Sequence, residues 1–377
     1  MFFPHLQQLH VDVSASISMA FIELLKVNAT VTRVYLWNSA IGNEGVRKLA
    51  ESLKVNTKVF DLVLWNNDLG DEGVRALAEA LKVNSTVTSI DLGENSVTDD
   101  GLTALADMLK VNTTVTSIVL DTNSIGAEGA RSLADALKCN NTFTSIDLQN
   151  NTIEAEGTIA LAEALKINHT VTSVCLQNNC IGAEGARALA DALKVNHTVS
   201  HVYLHGNFLG DDEVKSLAES FKVNNSVTFI DLRSNSIGDK GVRALAEAFK
   251  VNTTITKIDL TGNSISDRGV RALSEALKLN NSLTSISLAF NSIGDIGVRA
   301  LAEVLKVNSA VRSVDLRCNS IGYEGVRTLA DVLKVRPSFV SLNVLGNCIG
   351  DEGAKTLADA LKLNSNVEIV TDSFKCV

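Results

Sequence analysis

The sequence predicts an α/β fold: a right-handed horseshoe solenoid with parallel strands on the concave face and helices on the convex face. Two observations carry this. A 28-residue unit recurs without insertion, its landmark asparagine falling at Asn67, Asn95, Asn123, Asn151, Asn179, Asn207, Asn235, Asn263, Asn291, Asn319 and Asn347, with Ser39 in the same place of the first full copy. A fixed period of this length marks units that touch only their neighbours. Within each unit the hydrophobic period also changes, from about two residues to about 3.6.

The elements follow in order. Ser89-Ile90-Asp91-Leu92-Gly93 alternates apolar and polar residues, so it is a short strand with Ile90 and Leu92 on one face. The pair recurs as Ile118/Leu120, Ile146/Leu148, Val174/Leu176, Ile230/Leu232 and Ile258/Leu260. The landmark asparagine follows where the chain turns inward. It is expected to bond backbone groups of neighbouring turns that have no sheet partner. A helix comes next: Val74, Leu77, Ala78 and Leu81 form one apolar stripe. Gly70 and Gly73 flank its start, and Asp71 and Glu72 suit the positive end of the helix dipole. Every helical unit ends on a lysine, from Lys26 to Lys362, with an acidic residue three places before it, from Glu23 to Asp359. These pairs read as a solubilising face, each contributing a few tenths of a kcal/mol. The asparagine two places after the lysine is expected to be a left-handed cap. Strands lie ~4.8 Å apart and helices ~8–10 Å, so stacked units must bend with the strands inside.

At 377 residues a compact protein would split into two or three domains, but a solenoid core grows in one dimension. With only Pro4 and Pro337 and no Gly/Ser linker, a single domain over 1–377 is expected. Residues 1–31 form a degenerate N-terminal cap, 32–364 about twelve repeats, and 365–377 a degenerate C-terminal cap. In the first cap Leu6, Val13, Phe21, Leu25 and Val31 keep the period while Gln8 replaces a strand leucine; at the far end Val370 keeps it and Asp372 does not. Closed ends make a complete chain the expectation. The formal charge of -9 argues against nucleic acid and against an anionic membrane surface. No secretory signal or membrane-spanning stretch is read, and the six cysteines show no paired spacing, so reduced thiols in the cytoplasm are expected.

No His-Glu-x-x-His, Gly-x-Ser-x-Gly or Cys-x-x-Cys occurs, so the expectation is no enzyme, no cofactor and no metal site. His201 and His205 share a face but lie ~13 Å apart along a strand, too far for one ion. His169 and His197, which share a column, read as solvated loop histidines.

Candidate binding residues are those that break the repeat on the exposed strand face. Tyr35, Trp37, Val63 and Trp65 form a first cluster with the only two tryptophans, whose rings are expected side by side on solvent. A stacked pair that only shields the end of the sheet is the other reading. A second cluster is His201, Tyr203, His205 and Phe208, in a repeat that also carries Glu213 for the helix-start glycine and Lys215 for the usual arginine; contact and drift both explain it. An acidic line runs through Asp91, Asp121, Asp147, Asp231, Asp259 and Asp315, interrupted by Arg233 and Arg317. With Asp61 and Glu94, eight acidic residues face four basic ones, Arg33, Arg233, Lys257 and Arg317, a net of -4 that either steers a partner or merely suits the repeat.

The pattern Leu-x-Leu-x-x-Asn-x-Ile-Gly-x-Glu-Gly-x-x-x-Leu-Ala-x-x-Leu resembles the leucine-rich repeat of the ribonuclease-inhibitor type, from about Phe21 to Val370. Similar arrays occur in ribonuclease inhibitor, in the sensing arm of NLR immune receptors and in the Ran GTPase-activating protein. The chain departs from each: few cysteines and uniform repeat lengths, no Gly-x-x-x-x-Gly-Lys-Ser/Thr loop, and no loop insertions. The uniform arrays of NLR receptors are the nearest likeness. The resemblance implies a non-enzymatic scaffold that captures a protein partner inside the horseshoe. The acidic strand face makes a partner of basic or mixed charge the expectation, and a monomer or weak homodimer is expected. A small-GTPase regulator and a self-associating structural array are the alternatives.

Overall fold

Each 28-residue unit folds as its two periods require. The central strand residue is buried and its neighbours face solvent, as in Ser89–Asp91, while Val74, Leu77, Ala78 and Leu81 seal the helix Asp71–Leu81 against the strand layer. The computed structural model describes residues 8–10, 15–362 and 368–370. Leu6, Val13, Asp372 and Cys376 lie outside the described residues.

The chain divides into two compact units, residues 1–192 and 193–377. In the first, strands run from Gln8–His10 to Ser173–Cys175 and pair in parallel in chain order, with Ser89 opposite Ser117 and Ser117 opposite Ser145. In the second they run from His201–Tyr203 to Glu368–Val370 in the same way, with Phe229 opposite Lys257 and Lys257 opposite Ser285. Within each unit successive helices pack on one another. The fold class is the α/β solenoid of the sequence reading: a strand-lined face and a helical face on every repeat.

The buried landmark asparagine fills the role expected of it. Asn95 Nδ2 donates to Leu64 O and Gly93 O at 2.8 Å each, and its Oδ1 accepts from Asn67 N and Leu69 N at 2.9 and 3.2 Å. One side chain thus satisfies groups of its own turn and of the preceding repeat. The asparagine after the helix departs from expectation, since it is not a left-handed cap. Asn84 is buried; its Nδ2 donates to Leu53 O and Asn56 O of the preceding repeat, and its Oδ1 accepts from Thr86 N and Val87 N. The left-handed position lies instead just before the landmark asparagine, at Asn38, Asn66, Asn150 and Asn178 with φ of 51–53° and at Gly206, Gly262 and Gly346 with φ of 65–68°. Asparagine and glycine adopt that conformation at least cost. Arg336 replaces one helix-end asparagine. Its buried guanidinium reaches the carbonyls of Leu305, Asn308 and Val311, so it repeats the donor half of the asparagine's work, and burial holds it below the usual arginine range.

A further polar column was not visible in the sequence. Asp71 does not serve its own helix. Its Oδ1 accepts from Thr98 N and Gly101 N, at 2.8 and 3.0 Å, and so caps the helix of the next repeat. Asp211, Asp239, Asp267 and Asp295 do the same, each for the repeat that follows. Glycine at the third helical position makes room for this, because a β-carbon at Gly241 would sit 2.8 Å from Asp211 Oδ1. Where the column carries Ala127, Ala155 or Tyr323, the next helix starts one residue earlier, at Glu154, Gly182 or Gly350, each with φ of 56–65°. Glu213 belongs to the same account. The unit before it carries Ala183 in this column, and Glu213 Oε2 accepts from Gly210 N of its own helix at 3.0 Å. Its departure from glycine supplies a compensating cap.

Leu204→Ala, at a fully buried position, is expected to destabilise the fold by ~2–5 kcal/mol in denaturant unfolding, as core deletions do. A change under about 1 kcal/mol would remove it from the core. Asp239→Ala should cost ~1–2 kcal/mol, the value of a helix cap. Burial alone raises the Asp239 carboxyl, but hydrogen bonds from Ser266 and Gly269 outweigh it and the group titrates below its ordinary range. A depressed folded value means that the stabilisation is present above the ordinary carboxylate pKa of ~4 and is lost as pH falls through the folded value. The gap between parent and Asp239→Ala in urea titrations should therefore narrow in acid; a gap that stays constant with pH would separate the cap from its charge.

Candidate functional site

The strand face presents four exposed columns per repeat, because alternation turns the residues on either side of each buried strand residue to solvent. In the first unit, Tyr35 Oη donates to Asp61 Oδ2 at 3.2 Å, while Arg33 lies 3.9 Å from the same carboxylate and 5.3 Å above the Phe60 ring. Trp37 is 40% exposed. Trp65 departs from the expected side-by-side pair: among the described residues no ring contact joins it to Trp37. Its column continues with Gly93, and a β-carbon there would lie 2.6 Å from Trp65 Cδ1 and also against Asp121 Oδ1. The indole and the Asp121 carboxylate converge over the bare glycine from either side.

Asp91, Asp121 and Asp147 continue this surface, and among the described residues no cationic side chain pairs with them. Asp91 accepts from Gly93 N at 3.0 Å and Asp147 from Gln149 N at 3.2 Å. Burial raises both carboxyls above their ordinary range despite those backbone bonds, and the charge of Asp121 between them adds to it.

The second unit treats its acidic residues differently. Arg233 grips the buried Asp231 with Nε and Nη2, the closest contact being 2.6 Å, and reaches within 3.7 Å of Asp259. Arg317 pairs with Asp315 at 2.9 Å. With Lys257, three cations match three carboxylates on this face, so the net -4 read from the sequence belongs wholly to the first unit. The line from Asp91 to Asp315 is thus two surfaces of different chemistry.

His201 and Tyr203 are brought together as expected, with ring centroids 6.4 Å apart. Phe229 completes the cluster at 6.1 Å from His201 and 5.2 Å from Tyr203. It stands one repeat further along the His201 column, and reading that column across repeats would have found it. Among the described residues His205 makes no ring contact, and Phe208, 77% exposed with φ of 57°, stands outside the cluster. His197 Nδ1 lies 3.0 Å from Asn225 Oδ1. Among the described residues no three His, Cys, Asp or Glu side chains are grouped to hold a metal, and Cys139, Cys175, Cys180, Cys318 and Cys348 are free thiols. No described helix is long and apolar enough to cross a membrane.

A family profile described as "Leucine Rich repeat" matches ten segments, 55–78, 83–106, 111–134, 139–162, 168–190, 223–246, 251–274, 279–302, 307–330 and 337–358, together more than half of the chain. No curated protein sequence matches it. Among solved structures, an internalin from Listeria monocytogenes is 17% identical, with a TM-score of 0.55 over 96% of this chain and 95% of the internalin. Actin-binding site 2 of leiomodin-1 is 27% identical, with a TM-score of 0.35 over 39% of this chain and 86% of the other.

Because burial and like charge raise Asp91 and Asp147, their ionised forms oppose the fold. The favourable contribution is present at low pH and is lost as pH rises through the raised values. Asp91→Asn with Asp147→Asn is expected to be more stable than the parent at pH 7 and to converge with it in acid, as read by urea unfolding. Lower stability of the double variant at pH 7 would show that the two carboxylates are structural.

Proposed function

Since the chain belongs to the leucine-rich repeat family, we propose that it is a non-enzymatic scaffold that holds a partner protein on its strand-lined face. One observation carries the reading: in the first unit unpaired Asp91, Asp121 and Asp147 share the strand-lined face with Trp37 and Trp65, Asp121 meeting Trp65 over Gly93. An acidic surface without internal cations favours a partner of basic or mixed charge. Large rigid aromatics give contact area at low entropic cost. The repeats 32–364 act as one array of the ribonuclease-inhibitor type, like those of NLR receptors, in the cytoplasm, as a monomer or weak homodimer. Nucleic acid, membranes, metals and cofactors play no part at this face. In the second unit, His201, Tyr203 and His205, now joined by Phe229, with Arg233, Asp259 and Arg317, form a neutral surface of secondary rank. A GTP hydrolysis assay separates this reading from a small-GTPase regulator, and light scattering from a self-associating array.

With a partner identified by affinity capture from the native cell, Trp37→Ala with Trp65→Ala should weaken binding ~30-fold or more while circular dichroism stays unchanged. Neutralising Asp91, Asp121 and Asp147 should slow association and flatten its salt dependence. Undiminished affinity of the tryptophan double variant would move the site to the His201/Tyr203/Phe229 surface.

A further inference from the structure

The helical face carries its own break in the repeat. The position that follows the capping column of Asp71 is acidic in nearly every full unit: Glu44, Glu72, Asp100, Glu128, Glu156, Glu184, Asp212, Glu324 and Glu352. The basic column three residues on includes Arg47, Arg131 and Arg327, which these acids pair: Arg47 with Glu72, Arg131 with Glu128 and Glu156, and Arg327 with Glu324. Arg75, Arg187 and Lys215 in the same column have no ion pair among the described residues, but each has an acid three residues before it in its own repeat. In three consecutive repeats of the second unit the acid is replaced by Lys240, Arg268 and Ile296. Arg243, Arg271 and Arg299 have no ion-pair partner there among the described residues. Five exposed cations are therefore contiguous on the helical face of a chain whose net charge is -9. Arg243, Arg268 and Arg271 line a depression of about 300 Å³, with Ala272 and Ala300 also lining it. Glu275 lines it as well, its carboxylate paired with Lys278 at 2.7 Å.

Local stability does not account for this. Lys240 and Arg268 stand in the first helical turn, where a cation opposes the helix dipole and an anion is favoured. Nine other repeats meet the same position with a carboxylate. Three guanidinium groups around one depression match a dianionic tetrahedral group, which arginine binds through paired N–H donors. The depression is open to solvent, whereas sites for free small molecules bury most of their ligand. An anionic group presented on a larger partner fits it better.

We propose that Arg243, Arg268 and Arg271 form a docking site on the helical face for a phosphorylated segment of a protein, separate from the strand-lined face. The test uses the full chain and synthetic serine/glycine peptides carrying two adjacent phosphoserines, with unphosphorylated and glutamate-substituted peptides as controls. Lys240→Glu with Arg268→Glu restores the acid found in the other repeats, so the variant retains a sequence this fold already tolerates. Binding of the phosphopeptide by calorimetry should fall at least tenfold in this variant and in Arg271→Gln, but not in Arg47→Gln, whose arginine is already paired. The unphosphorylated peptide should bind at least tenfold more weakly than the phosphopeptide. Equal binding of the glutamate peptide would overturn the assignment in favour of an acidic segment. Tighter binding of inorganic phosphate, single-stranded nucleic acid or phosphatidylserine vesicles at the same arginines would overturn it in favour of those ligands. No loss in the Lys240→Glu/Arg268→Glu variant would remove the site altogether.

Discussion

The constraint on which this fold depends is that no repeat can satisfy its own backbone. Between the end of a three-residue strand and the start of a helix, the chain runs through turns whose N–H and C=O groups have no sheet partner, and burying them unpaired is costly. The landmark asparagine resolves this with four hydrogen-bonding positions on one side chain, and it spends part of them on the preceding repeat: Asn67 Nδ2 donates to Leu64 O and Trp65 O, and its Oδ1 accepts from Ser39 N. The fixed period follows, because an insertion would separate the asparagine from the groups it must reach in its neighbour. The helix-end asparagines impose the same rule on the opposite side of the unit.

The helix starts show what happens when one partner in such a scheme is lost. An aspartate that caps its successor leaves the residue just before the successor helix extended, as at Gly238 with φ of -104°. Its replacement by alanine forces the successor to use a left-handed residue instead, and the N–H of that residue turns to the next asparagine, as Glu154 N does to Asn179 O at 3.0 Å. Glu213 shows the other solution, a cap supplied from within the helix. How a helix begins is therefore decided jointly by the residue one repeat earlier and by whether its own first turn supplies a substitute cap.

That dependence also explains what could be read from the sequence. The strands, the helical stripes and the role of the landmark asparagine were legible, since each rests on periodicity within a unit. The capping role of Asp71 and the non-helical role of Asn84 were not, because both act across units and one-dimensional spacing assigned them to the nearest helix end. On the strand face, composition gave the correct list of charges and the wrong grouping. Only the geometry shows Arg233 closing on Asp231 while Asp91, Asp121 and Asp147 stay open. Trp65 leaned over Gly93 because of an absent side chain in the next repeat, a signal visible only when the column is read crosswise.

The two polar columns run in opposite senses along the chain. Asparagines serve the repeat before them, and aspartates serve the repeat after. A whole 28-residue unit copied or deleted between like neighbours leaves every remaining group facing a partner of the kind it had before, whereas a fragment of a unit leaves both columns broken. The array can thus lengthen or shorten by whole units with its polar columns intact. Departures from the repeat such as Trp65, Phe229 and Arg268 stand outside both columns, so a single copy can change there without disturbing its neighbours.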